Sequence, residues 1–198
     1  MPYSQSQSVA EVRDRFGLQQ DPTLDLSDIP PLEPSRTLRE ILAQKMPLAL
    51  GSATEKARSE FLIAPLLGEV WVRTNRRVAV FSGAEFNVEA EAGLAGACDS
   101  IITRSLDFPA ITSPVLLVVE AKRDDLDRGA GQCAAELVAA QRFNAAHENP
   151  NLPIWGAVTT GTVWRFLRLA GTLLALEYRD HSLENLDRLL GIRTAIVA

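Results

Sequence analysis

The stretch Val115-Leu-Leu-Val-Val-Glu-Ala-Lys-Arg123 constrains this chain most. Its aliphatic run is continuous rather than alternating, and it is of strand length. It predicts a central strand, buried on both faces, that ends in charge. Pro114 precedes it. Residues two apart on a strand share a face, so Glu120 and Lys122 project together while Ala121 points the other way. At the rim of a sheet such a pair is either a solvated ion pair of little energetic weight or part of a site.

The remaining pattern is strands with helices before and after them. Thr37 and Glu40 have the spacing of a capping box, and Leu38, Ile41, Leu42 and Met46 follow at helical period. Thr54 opens a second helix through Ala57, Phe61, Ala64 and Leu67. Pro65 and Gly68 mark a kink or its end, with uneven helix persisting into 70–72. From Val78 the period becomes two. Strands are predicted at Val78–Phe81, Phe86–Ala90 and Cys98–Ile102. After the central strand come a helix from Gly129 to about His147, strands at Ile154–Thr159, Val163–Leu169 and Leu173–Tyr178, and a short helix from Ser182 to Leu190. The expected fold is a mixed α/β sheet flanked by helices, one domain over residues 37–198. Residues 1–36 are rich in Ser and Gln, then in Pro and Asp. They predict an extended or partly disordered arm, interrupted by a short helix near Val9–Phe16.

Composition narrows the function classes. Twenty Lys+Arg against 25 Asp+Glu leave a net charge of -5. That excludes nucleic-acid binding by bulk positive charge, though not by a local basic groove. No apolar run approaches the roughly 20 residues of a membrane span. The start MPYSQSQS lacks the basic and apolar regions of a secretory signal, so a cytoplasmic protein is expected. Cys98 and Cys133 have no metal-binding spacing, and His147 and His181 are the only histidines. Zinc sites and histidine-based triads are therefore set aside.

Asp99 lies in the strand before the central one, where the connection allows it to meet Glu120. Two carboxylates at one point repel, and burial aggravates this. A hard divalent cation removes the conflict. Mg²⁺ takes one or two carboxylates plus water and phosphate oxygens, makes its water more acidic, and neutralises charge at phosphorus. Lys122 is placed to orient or deprotonate an attacking water, or to stabilise negative charge. Glu60, beside Phe61, Leu62 and Ile63, is either a solvated helix acid or part of the metal shell. Gln132 is either a surface amide or a hydrogen-bonding partner for water or phosphate at the strand's end.

Glu60, Gly96-x-x-Asp99, Glu120-Ala-Lys122 and Gln132 together resemble the PD-(D/E)XK phosphodiesterase superfamily, with its restriction-endonuclease-like fold. VVEAKR, Gln132 and AVTTGTVWRFL are similar to the nuclease domain at the N-terminus of type I restriction enzyme R subunits, which often carry a like T-x-G-x-x-W strand pair. The match covers about Thr54 to Leu169. The resemblance implies carboxylates placed where two strands diverge, and hydrolysis of DNA phosphodiester bonds. It implies Mg²⁺, with Mn²⁺ as a substitute, held by Asp99, Glu120 and the Ala121 carbonyl, with Lys122 at the water. Glu60 would support the metal shell and Gln132 the site. Cys98 departs from the proline of the family name. No helicase segment follows, so ATP-driven restriction is not expected of this chain alone. Without a separate target-recognition domain, recognition would fall to a protein partner. A homodimer is expected by analogy with relatives that cut both strands.

Gly129-Ala-Gly131-Gln-Cys-Ala134 matches a nucleotide-binding GxGxxA pattern, but the acidic linker Asp124–Arg128 is too long and too negative for a pyrophosphate turn. Arg73, Arg76 and Arg77 near Trp71, and Arg165 with Arg168 near Trp164, are either solvated strand edges or holders of DNA phosphates. The alternative to a nuclease is a catalytically inactive module of the same fold that binds nucleic acid or a protein.

Overall fold

The aliphatic run forms a strand whose seven residues, Val115–Ala121, are all buried. The structure, a computed structural model, describes residues 3–52, 54–106 and 109–198. Residues 1 and 2 of the predicted arm lie outside the described residues. The strands are β1 (Gln19–Asp21), β2 (Ala79–Glu85), β3 (Ala97–Thr103), β4 (Val115–Ala121), β5 (Ile154–Thr159), β6 (Val163–Ala170), β7 (Leu173–Leu176) and β8 (His181–Ser182). They build one open sheet in the order β1-β7-β6-β5-β4-β3-β2, with β8 beside β6. β4 pairs parallel with β5 and β1 with β7; the other pairs are antiparallel.

The helices are α1 (Val9–Phe16), α2 (Arg36–Ser52), α3 (Glu55–Arg58), α4 (Ala64–Arg73), α5 (Leu126–Ala146) and α6 (Leu186–Val197). Side chains of α1 and α5 fill the core on one face of the sheet; those of α2, α4 and α6 fill it on the other. The chain is thus a mixed α/β fold. Among the described residues, no helix is long and apolar enough to cross a membrane.

A parallel β4–β5 pair needs a crossover, and α5 supplies it. Asn144 near its end locks the two together. Its Oδ1 accepts the Val115 N–H at 2.8 Å, and its Nδ2 donates to the Val115 carbonyl at 2.8 Å.

Several boundaries depart from the sequence pattern. Ser35, not Thr37, caps α2: its Oγ accepts the Leu38 N–H at 3.1 Å. α3 passes through a π-helical turn at Ser59–Ile63 into α4, which runs to Arg73. Pro65 follows directly on the π-helical turn, so of the two readings it marks an irregularity within the helix and not its end, and uneven helix does persist through 70–72. Phe86–Ala90 is not a strand. The Val88 and Glu89 N–H groups both donate to the Leu94 carbonyl, folding this segment into a tight loop that ends at Gly93 with φ of 73°. The C-terminal helix extends to Val197.

The arm belongs to the domain. Tyr3 is buried, and its O–H donates to the Phe86 carbonyl at 2.6 Å. β1 extends the sheet beside β7. Leu24 and Leu26 enter the core, and the Leu32 N–H donates to the Asp187 carbonyl at 2.8 Å. Glycines permit two of these contacts: a Cβ would lie 2.6 Å from Ser8 N at Gly131, and 2.2 Å from the Pro30 oxygen at Gly191.

One core group is poorly served. Arg193 is fully buried, with its guanidinium 3.4 Å from the Trp164 ring centroid and none of its three nitrogens hydrogen-bonded. Burial pushes its pKa down to about 9. A buried charge without acceptors is costly. Arg193→Met keeps an unbranched apolar stem and should therefore raise the thermal unfolding midpoint at pH 7. A lowered midpoint would mean that stacking on Trp164 outweighs the lost hydration.

Candidate functional site

The site forms where β3 and β4 stop pairing. Their last ladder pair at this end is Ser100 with Val119. One step further, the side chain of Asp99 replaces the ladder: its Oδ2 accepts the Ala121 N–H at 2.8 Å. On the other side β4 continues beside β5, pairing Glu120 with Val158, and the Lys122 N–H donates to the Thr159 carbonyl at 2.8 Å. The end of β4 is thus held from both sides while Glu120 and Lys122 project towards α5.

Glu120 is 2% exposed. Its Oε1 accepts from Lys122 Nζ, and its buried Oε2 receives no N–H or hydroxyl donor, the neighbours of this carboxyl being the carboxyls of Asp99 and Glu136. Lys122 Nζ also donates to Gln132 Oε1 at 3.1 Å, and Gln132 Nε2 donates to Glu136 Oε1 at 3.1 Å. Gly129 makes this approach possible. A Cβ there would lie 2.6 Å from Val158 Cγ1 and 2.8 Å from Lys122 Cγ. The glycines of the GxGxxA pattern therefore serve packing: Gly129 admits the Lys122 stem, and Gly131 admits the arm.

Burial, then the charge of Asp99, pushes the Glu120 carboxyl up to about 7, against the opposing pull of Lys122. Burial likewise raises Asp99, although the Ala121 N–H and Lys122 favour its charged form. Burial works against the Lys122 ammonium, but the charge and hydrogen bond of Glu120 outweigh it and raise its pKa. Glu136, wholly buried, is pushed well above the usual carboxylate range by burial and by Glu120.

Two cavities meet at Glu55. One, of about 380 Å³, is bordered by Lys122, Arg123, Arg128 and Gln132; the other, of about 330 Å³, by Lys56, Ser59, Asp99 and Ala121. Larger hollows of about 470 and 460 Å³ lie elsewhere on the surface, at Pro31 and at Arg77, away from the carboxylates. Chemistry, not size, singles out the pair at Glu55.

The structure thus brings Asp99, Glu120, Ala121, Lys122 and Gln132 together. It does not bring Glu60 with them. Glu60 is half exposed, pairs with Lys56 at 2.9 Å, and borders neither cavity at the site. Glu55 stands there instead, its Oε1 accepting the Arg123 N–H at 3.2 Å. Five residues turn a regular helix by about 140°, so the two acids cannot share a face. The signal for Glu55 was its place directly after the Thr54 cap, where an acid faces the end of a neighbouring strand. Glu136 was hidden in an alanine-rich helix and carried no motif.

The proposed phosphate-holding arginines are not gathered at the site. Arg73 is tied to Glu69 at 2.9 Å and to the Glu33 carbonyl at 2.7 Å. Arg76 lies over the Trp71 ring, and Arg77 donates to the Thr74 carbonyl. All three sit at the far end of the helix that begins at Glu55, about 27 Å away by helical rise. Arg165 is nearer, since both it and Glu120 register with Val158, but its guanidinium forks onto Asp180 at 2.8 Å and Asp127 at 2.6 Å. Besides Lys122, the basic residues that border the two cavities are Lys56, Arg123 and Arg128, with the acids Asp124 and Asp125 on the same rim.

Among the described residues, no three His, Cys, Asp or Glu side chains form a metal-holding group. The donors present still suit a hard cation. Mg²⁺ uses few protein oxygens, and Glu120 Oε2 is a buried carboxylate oxygen without an N–H or hydroxyl donor beside the half-buried Asp99. The chain matches no family model, and no curated protein matches it.

A raised carboxyl pKa has a thermodynamic consequence. Where the folded chain holds more protons than the unfolded one, stability falls as pH rises. For Glu120 the loss runs from its ordinary value of 4.5 to about 7. Asp21, Asp25 and Glu69 shift the opposite way and titrate below that window. In EDTA, the thermal midpoint should fall between pH 5 and pH 8, and Glu120→Gln should flatten the fall. A wild-type midpoint that rises across this range would contradict the burial of a strained carboxyl.

Proposed function

We propose that this chain is a metal-dependent nuclease that hydrolyses DNA phosphodiester bonds. One observation carries the reading: Asp99 and Glu120 converge where two strands part, Lys122 is bonded to Glu120, and the other Glu120 oxygen is buried without an N–H or hydroxyl donor. A structural ion pair needs no second carboxylate. Mg²⁺ or Mn²⁺ would be held by Asp99, Glu120 and the Ala121 carbonyl, and would supply charge neutralisation and a more acidic water.

The chain's own groups have distinct tasks. Lys122, whose pKa is raised by Glu120, carries its proton at neutral pH. It acts as a donor, holding a water or stabilising negative charge on a phosphate oxygen, and not as the base that takes a proton. Gln132 holds the ammonium from the other side. Arg128, for which no acid partner is seen among the described residues, supplies positive charge at the first cavity for a flanking phosphate. A cytoplasmic setting accords with the two free, buried cysteines. Target recognition by a protein partner, or through a homodimer, belongs to the same proposal.

The second reading is an inactive nuclease-fold module that binds nucleic acid or protein. Its support is the net charge of -5, which gives DNA no bulk attraction to a cutting site. Incubation of supercoiled, linear and single-stranded DNA with Mg²⁺ or Mn²⁺ separates the two. The nuclease reading predicts cutting that EDTA abolishes and that Lys122→Ala reduces by about 100-fold or more, as for loss of a charge-stabilising donor. DNA binding without cutting under any metal condition would favour the module.

A further inference from the structure

The hydrogen-bond chain from Glu120 through Lys122 and Gln132 ends on Glu136, one helical turn beyond Gln132 and completely buried. A primary amide has one accepting and one donating end. With Nε2 given to Glu136 Oε1, Gln132 presents its oxygen to Lys122 Nζ, 3.1 Å away. Turned over, it would set two donors against each other. We propose that Glu136 is a positioning residue: its carboxyl fixes the orientation of the Gln132 amide and, through it, the place of the Lys122 ammonium beside Glu120. The catalytic consequence rests on the nuclease reading; the orientation itself does not.

Packing gives no other reason for an acid here. Residues 133–135 and 137–140, on either side of Glu136, are all apolar and buried. Glu136 Oε2 receives no N–H or hydroxyl donor. An apolar side chain in such a place is commonly neutral or stabilising relative to a buried polar group whose hydrogen bonds are not all made. The acid therefore costs stability, and what it touches is the site itself: the amide that holds Lys122, and the Glu120 carboxyl. Supporting groups at this remove from a reactive centre typically change activity by about 10–100-fold when removed.

The test compares Glu136→Gln, whose carbonyl still accepts from Gln132, with Glu136→Leu and Glu136→Met, which cannot. In ¹⁵N-labelled protein, the Gln132 side-chain amide should exchange hydrogen slowly in the wild type and in Glu136→Gln. It should exchange at least about tenfold faster in the apolar variants, whose thermal midpoints equal or exceed the wild-type value. In the cleavage assay the apolar variants should lose about 10–100-fold in kcat with KM little changed, and Glu136→Gln should recover most of it. Unchanged Gln132 exchange in a folded apolar variant would overturn the assignment, as would a loss of kcat that glutamine does not rescue. A wild type that cuts no DNA counts against the nuclease reading alone, because amide exchange still decides the role of Glu136.

Discussion

Two carboxylates, Asp99 and Glu120, are held next to each other where β3 and β4 separate, one half-buried and one almost wholly buried. Left alone, each would make the other harder to ionise, and burial would add to the penalty. The surrounding structure offsets that conflict without abolishing it. Asp99 receives the Ala121 N–H, and Glu120 receives the Lys122 ammonium. One Glu120 oxygen remains unserved, and its carboxyl stays raised to about 7. A site that keeps a strained acid buried just behind the cavity-lining Asp99, Ala121 and Lys122 is suited to a cation in a way that a fully paired ion cluster is not.

The fold around this point is arranged to bring Lys122 in close. β4 delivers Glu120 and Lys122 on one face, and α5 crosses directly over them. Close crossing requires the absence of side chains on the helix, and Gly129 provides it. A turn later, Gln132 and Glu136 are the polar residues on an otherwise apolar stretch, and they continue the hydrogen bonds that start at Glu120. Asn144 holds the other end of α5 to the start of β4. Strand and helix are therefore tied at both ends, and the geometry of the polar network follows from that rigid pair.

Much of this was legible from local pattern. The buried central strand, the helix after it and the strand pair around Thr160-Gly161 follow from unbroken or alternating apolar runs and a tight-turn signal. The meeting of Asp99 with Glu120 followed from neighbouring strands, because antiparallel neighbours bring their ends together. What local pattern could not supply was helix phase and long-range packing. Glu60 and Glu55 lie on one helical segment, and only the direction of that helix decides which faces β4. The short helix at Val9–Phe16 is legible, but the rest of the arm reads as extended or partly disordered because its anchors, Tyr3 on Phe86 and Leu32 on Asp187, are distant in sequence. The basic cluster at Arg73–Arg77 is dense in sequence but separated from the carboxylates by the length of the helix.

The most direct measurement of the central claim is thermal unfolding of the wild type, Asp99→Asn and Glu120→Gln with and without millimolar Mn²⁺ or Mg²⁺. A ligand that binds only the folded chain raises its stability in proportion to the logarithm of its concentration over Kd. The account predicts a metal-dependent rise in the wild-type midpoint that both variants lose. Metal-free Asp99→Asn should match or exceed the metal-free wild type at neutral pH, because one of two repelling charges is gone while the Glu120–Lys122 pair stays. No rise in the wild type, or an equal rise in all three proteins, would contradict the claim that these two carboxylates form a cation site.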